Sequence, residues 1–304
     1  EVMRGIYDLE RLSRRLVLGK LHPFEINHIY DSMTSIKELM QYAKKHKILK
    51  AAFHESEVDE FLRDILKSID LDISRRFTNA TIDENFLMSG VDESIDTLTK
   101  ESRVILVAFE DIMAKIELLL ENANANSTNS LVTLGLLEKE GYYISLSKNR
   151  FSMIESEFYK HEDFKEFVVK KLTNNVKITS DFTDNLSDKL MKNRRKIIAL
   201  AKDRFIALQG VYERRYALLF DRVIGYVADL DVGVGSSKAA QMYKHSRPMI
   251  VDVANDENFM QIMQLRHPLI EIQSQSGIYV PNDIVMGNRT YMDLPHPKSV
   301  MLDL

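Results

Sequence analysis

A chain of 304 residues with 45% hydrophobic content can bury a substantial core, and only 11 Gly and 6 Pro among them suit a helix-dominated protein. A formal net charge of −4 excludes a globally basic nucleic-acid binder, so any grip on phosphates must come from local patches. The absence of Cys excludes disulfides and thiolate metal sites and fits a reducing intracellular compartment, and no apolar run approaches the ~20 residues of a membrane span.

In chain order, residues 3–50 read as two amphipathic helices. Ile6, Leu9, Leu12 and Leu16 mark the first; Ile26, Ile29, Met33, Ile36 and Leu39 mark the second, with Pro23 in its first turn. A further helix spans about 57–76 and is broken at Phe77-Thr78-Asn79-Ala80. From Ser94 to about Asn122 the positions Leu98, Ile105, Phe109, Ile112, Ile116 and Leu119 keep helical spacing without Gly or Pro, which predicts a long strut.

At 122–130 the composition collapses to Asn, Ala, Ser and Thr, a loop signal. The period then changes to two. Val132, Leu134 and Leu136, and later Tyr142, Ile144 and Leu146, alternate with smaller or polar residues around a turn at 138–141, which predicts a hairpin. A short helix is expected around 162–170, and Val176-Lys177-Ile178-Thr179 reads as extended. A second long helix is expected from Asn185 to about Asp229, with Leu190, Phe205, Leu208, Tyr212, Tyr216 and Val223 on one face. Gly233-Val234-Gly235-Ser236-Ser237-Lys238 looks like a phosphate nest, but it lacks the third Gly of a dinucleotide fingerprint and no strand precedes it; it reads as a softened helix end. Residues 257–304 read as short Pro-punctuated strands with no helix of their own.

The fold class expected is therefore mainly α: long antiparallel helices on a helical base with a small β-rich tip, followed by the first strands of a further α/β domain. The expected division is 1–122 for the first helices, 123–184 for the β-rich tip, 185–256 for the return helix and 257–304 for the strands.

For chemistry, no G-x-x-x-x-G-K-[ST] phosphate loop is present: Gly19-Lys20 is followed by Leu21 and has Arg14 where the first Gly should stand. The eight His show no ligand spacing, and no G-x-S-x-G elbow occurs, so neither a metal nor a catalytic residue is assigned. The tip concentrates cations at 147–150 and 170–177. Lys148, Asn149, Arg150, Lys170, Lys171, Asn174 and Lys177 are the candidate contacts to DNA phosphates, since Lys, Arg and Asn donate to phosphate whatever the base sequence. Glu155, Glu157, Glu162, Asp163 and Glu166 nearly cancel that charge, and an ordinary solvated surface is the competing reading. A denser run, Lys189, Lys192, Arg194, Arg195 and Lys196, lies where the second long helix leaves the tip; one helix cannot point all five the same way, which favours a partly solvated face.

Several segments, in order, resemble the MutS mismatch-repair ATPases. Asp8-Leu9-Glu10-Arg11-Leu12 with Arg15-Leu16-Val17-Leu18-Gly19 is similar to the opening of that family's lever domain. Thr81-Ile82-Asp83-Glu84-Asn85 and Gly90-Val91-Asp92-Glu93-Ser94 resemble the approach to its long lever helix, and Gly141-Tyr142-Tyr143-Ile144-Ser145 resembles its clamp strand. Ala228-Asp229-Leu230-Asp231-Val232 and Arg266-His267-Pro268-Leu269-Ile270-Glu271 resemble segments that lead into the ATPase domain.

The resemblance implies a lever-and-clamp region that binds duplex DNA without reading sequence, in a homo- or heterodimeric parent with no membrane association. It implies ATP and Mg²⁺ as cofactors of that parent, with Tyr279 stacking on the adenine and Asn282 reading its edge, and the phosphate loop following Leu304. Within these residues it implies no cofactor and no ATPase activity. The alternative is a helical structural or protein-interaction module with no nucleic-acid role.

Overall fold

The computed structural model describes residues 2–123, 132–137, 140–250, 259–273 and 279–287. Helix accounts for 65% of the described residues, about twice the ~30–35% of an ordinary domain, which makes the protein mainly α with a small antiparallel sheet. The chain divides into two compact units, Glu1–Tyr226 and Val227–Leu304.

In the first unit a 3₁₀ turn leads into α1 (Leu9–Val17), whose start is fixed by Asp8 accepting from the Arg11 N–H. Helix α2 (Pro23–His46) has Pro at its first turn, as the sequence indicates, and Glu25 reaches back to the His22 N–H at 2.9 Å. Helices α3 (Glu55–Ser68) and α4 (Leu71–Ser74) follow, the latter capped by Asp70. The predicted strut is α5 (Glu93–Asn122), opened by Asp92 accepting from the N–H groups of Ser94 and Ile95.

The sheet comprises β1 (Thr133–Leu137), β2 (Gly141–Ser147), β3 (Val168–Lys171) and β4 (Asn175–Thr179), all antiparallel, in the order β1-β2-β4-β3. Strands β1 and β2 form the expected hairpin, with Leu137 opposite Gly141; Leu131, Glu138 and Lys139 lie outside the described residues. Between β2 and β3 runs α6 (Lys148–Lys160), where the sequence reading assigns no helix; the helix expected at 162–170 is a 3₁₀ turn followed by β3. The reason is Ser147, which caps α6, and Phe151, Ile154 and Phe158, which bury one stripe at helical spacing. Alternation along the strands sends Ile144, Leu146, Val176 and Ile178 to one face. There they meet Phe109, Ile116 and Leu120 of α5 and the Phe151, Phe158 and Phe164 rings in one core.

Helix α7 (Asp181–Tyr243) returns along α5, where Asn193 donates to Glu101. Its buried stripe includes Leu190, Ala201, Phe205, Tyr212, Tyr216 and Phe220. Phe61 of α3 lies edge-on to Tyr216 and Phe220 at 4.9 and 5.3 Å between ring centres. Around that contact Arg215 pairs with Glu60 and Asp64, Arg222 pairs with Glu57, and Tyr216 donates to Asp64 at 2.5 Å. Burial pushes the Tyr212 phenol up to about 12, with a neighbouring Ser68 hydroxyl working the other way. Buried Gln209 accepts from the Leu21 N–H at 2.9 Å and donates to the Leu21 carbonyl at 3.4 Å, tying α7 to the segment before α2.

Helix α7 does not stop near Asp229. Gly233 and Gly235 lie inside it, and the following Ala239, Ala240, Gln241 and Met242 are favourable enough to carry the helix on to a left-handed Lys244, where the His245 N–H closes on the Ala240 carbonyl. In the second unit β5 (Phe259–Leu265) pairs with β6 (Asn282–Gly287) in an antiparallel ribbon. Between them Pro268–Gln273 is a short helix, α8, rather than a strand, because His267 accepts from the Ile270 N–H and Pro268 occupies the first position.

Candidate nucleic-acid interface

The register of β2 against β4 places Ser147 opposite Asn175. The Lys148 N–H donates to the Asn174 carbonyl at 3.2 Å, and the Leu172 N–H donates to the Asn175 carbonyl at 2.8 Å, which closes the β3–β4 turn. The two cationic segments found separately in the sequence therefore form one patch. Lys148, Asn149 and Arg150 make up the first turn of α6, and Asn174 and the end of β3 stand beside them.

That first turn carries no acid. Two cations at a helix N-terminus oppose the helix dipole, at a cost of about 0.3–1 kcal/mol each at an exposed position. A local rule broken without an internal gain marks a functional surface more often than a structural one. Among the described residues Lys148, Arg150 and Lys170 have no ion-pair partner, and Asn149, Lys170 and Asn174 are exposed.

The other two candidates are paired. Lys171 lies 3.1 Å from Glu155 of α6, and both side chains are well exposed. An exposed pair of this kind contributes little, so a phosphate can replace the carboxylate. Lys177 differs: only 13% of its side chain is exposed, it lies 2.6 Å from Glu140, and its ammonium sits over the Tyr143 ring at 5.1 Å from the centre. The Lys177 hydrogen bond and charge hold the Glu140 carboxyl below the usual carboxylate range, and the charge of Lys170 adds to the effect. Lys177 is thus committed to the sheet, while Lys148 and Arg150 are part-exposed and Lys170 is exposed, all three without an ion-pair partner among the described residues.

The root of the tip is fixed by Gly141, whose φ is +79°. A β-carbon there would collide with the Ser187 Oγ of α7, which already accepts the Tyr142 N–H at 2.7 Å. Gly135 is constrained in a similar way, since a β-carbon would meet the Tyr143 ring at 2.6 Å.

Tyr279 precedes β6 and is half-buried; Asn282 opens β6 opposite Leu265, and its amide turns to the Val280 carbonyl at 3.4 Å. Arg266 pairs with Glu271 and donates to the Tyr243 and Lys244 carbonyls, capping the end of α7. Among the described residues no cluster of His, Asp and Glu has the arrangement of a metal site, and no helix is long and apolar enough to cross a membrane.

These features define a mainly helical protein that presents a small β-sheet tip with unpaired cations. No protein-family model matches the chain. It is similar to a DNA mismatch repair mutS homolog of Acanthamoeba polyphaga mimivirus, 23% identical over 94% of this chain and 27% of the relative. It is also similar to the DNA mismatch repair protein MutS of Lactococcus lactis, at 22% identity over 97% of this chain and 33% of the relative. The corresponding protein of Trichodesmium erythraeum is 24% identical over 95% and 30%. Matches to proteins named MutS at 22–24% identity over about 95% of the chain support placing it in the MutS family. The chain spans about a third of the length of these relatives.

Proposed function

We propose that this chain is a DNA-gripping and motion-transmitting region of a MutS-like protein that acts in mismatch repair. The observation that carries the reading is that strand register and the Lys148–Asn174 hydrogen bond bring the first turn of α6, with Lys148 and Arg150, beside Asn174 in one patch whose two cations have no ion-pair partner among the described residues. Similarity to proteins named for DNA mismatch repair agrees with it. The patch offers donors for phosphate and no group arranged to read a base edge, so it holds duplex without sequence preference. Helices α5 and α7 connect the patch to the α1–α3 base, and rigid elements of that length suit the transmission of a rigid-body switch. In a full-length parent the partner is a second MutS-like subunit and the cofactors are ATP and Mg²⁺. Tyr279 and Asn282 supply no phosphate contacts, so no nucleotide step is assigned to this chain, and it is expected to hydrolyse no ATP.

The test is anisotropy titration of matched and mismatched duplexes against the chain. Binding should be equal for the two, with the tip contributing a log–log salt slope on the order of two to four. Lys148→Glu with Arg150→Glu should weaken both duplexes alike, while Lys44→Glu with Lys45→Glu at the end of α2 should do little. A preference for the mismatch, or tip variants that bind as well as wild type, refutes the reading and favours a protein-interaction module.

A further inference from the structure

The cationic run on α7 resolves in the structure into two parts. At 3.6 residues per turn, Lys189, Lys192, Arg195 and Lys196 fall within an arc of about 120°, and all four are exposed. Arg194 points elsewhere: its guanidinium donates to the Asp83 carbonyl at 3.2 and 3.3 Å and faces the Asp83 carboxylate at 3.9 Å. None of the four on the arc has an ion-pair partner among the described residues, in a chain whose formal charge is −4.

Three of the four line a shallow cleft, together with Met191, Asp188 and the Glu140-Gly141 corner of the sheet. The acids there do not cancel the cations. Glu140 is already matched by Lys177 at 2.6 Å, which leaves Asp188 against Lys192, Arg195 and Lys196. Through Glu140 the strip adjoins Lys177 and Lys170, which stand opposite each other on β4 and β3.

The composition of the face selects the partner. From Asp188 to Asp203 its exposed positions are charged residues and Ala199, with no aromatic or branched aliphatic until Ile206. A stable protein interface needs a desolvated apolar centre with anchor residues, which this face lacks. A polyanionic backbone needs only spaced cations, which release its counterions.

We infer that the 189–196 face of α7 is a second contact for the nucleic-acid phosphodiester backbone, separate from the α6 patch and acting through charge alone. The inference rests on the DNA-binding reading above and adds a surface to it.

The test compares three variants of the whole chain on a labelled duplex of about three helical turns across a salt series. Lys192→Gln/Arg195→Gln/Lys196→Gln should weaken binding about tenfold or more and lower the salt slope by about two to three units. Arg194→Gln, from the same run but turned to Asp83, should leave the slope unchanged. Lys148→Gln/Arg150→Gln reports on the tip alone. If the triple variant unfolds by circular dichroism, Lys192→Gln and Arg195→Gln singly should each lower the slope by about one. A tip variant that weakens binding beside a triple variant that does not overturns this inference and leaves the tip reading intact. Loss in the triple variant alone supports the α7 face and overturns the tip reading. No binding by the wild-type chain at low salt overturns both. An unchanged slope in the triple variant with lost binding to a polyglutamate probe assigns the face to an acidic protein and also overturns the inference.

Discussion

Substituting Gly141 by Ala should loosen the root of the tip, and the structure sets the size of the effect. The residue sits at φ +79°, where a β-carbon costs about 1–2 kcal/mol. That carbon would also occupy the space of the Ser187 Oγ, whose displacement deprives the Tyr142 N–H of its acceptor at 2.7 Å. An unsatisfied part-buried donor costs about 1–3 kcal/mol, and the stiffer unfolded chain returns about 0.4–1. The net loss should be about 2–3 kcal/mol in urea unfolding followed by far-UV circular dichroism, the appropriate probe for a chain without Trp. Ser187→Ala provides the internal check. It removes the clashing hydroxyl and leaves a β-carbon at 3.6 Å, an ordinary contact, so Gly141→Ala should cost roughly 1 kcal/mol less in that background. If Gly141→Ala lies within about 0.5 kcal/mol of wild type, or costs the same in both backgrounds, the steric account of this glycine is wrong.

The remaining predictions concern the base. Gln209→Ala leaves the buried Leu21 N–H and C=O without their partner and should cost about 2–3 kcal/mol in the same urea assay, more than an exposed substitution such as Arg204→Ala. At alkaline pH the buried tyrosines set the limb. The folded pKa of Tyr212 is raised from 10.0 to about 12, so its contribution is complete below pH 10 and is lost as pH rises to 12, by about 2–3 kcal/mol. Tyr212→Phe should flatten that limb in pH-dependent unfolding, and an unchanged limb would contradict the assignment. Glu57 has the opposite sign: the His54 N–H and then the Arg222 charge hold its carboxyl low, so its stabilising contribution fades as pH falls through and below the usual carboxylate range. Glu57→Gln should lessen the acid sensitivity of unfolding.

The helices and the β1–β2 hairpin were legible because their apolar residues repeat at 3.6 and at 2 positions, and local periodicity survives folding. Helix α6 was not, because a first turn of Lys148, Asn149 and Arg150 without an acid resembles a solvated loop; its signal was the Phe151, Ile154 and Phe158 stripe. The far end of α7 was missed because Gly233 and Gly235 read as a stop, although two glycines cost only about 1 kcal/mol each in a helix whose neighbours favour it. At the site the sequence supplied the residue types but not their pairing. That Lys148 lies beside Asn174 follows from strand register, and that Lys177 is absorbed by Glu140 and Tyr143 follows from a cross-sheet contact. Neither contact leaves a trace in local composition.

The central claim, that the first turn of α6 and the β3–β4 turn together grip duplex DNA, is tested most directly by hydrogen exchange with and without duplex. The account predicts slower exchange on DNA binding in peptides covering 147–151 and 172–177, with α3 (Glu55–Ser68) unchanged. Protection in α3, or none at the tip under conditions where the duplex is bound, would contradict it.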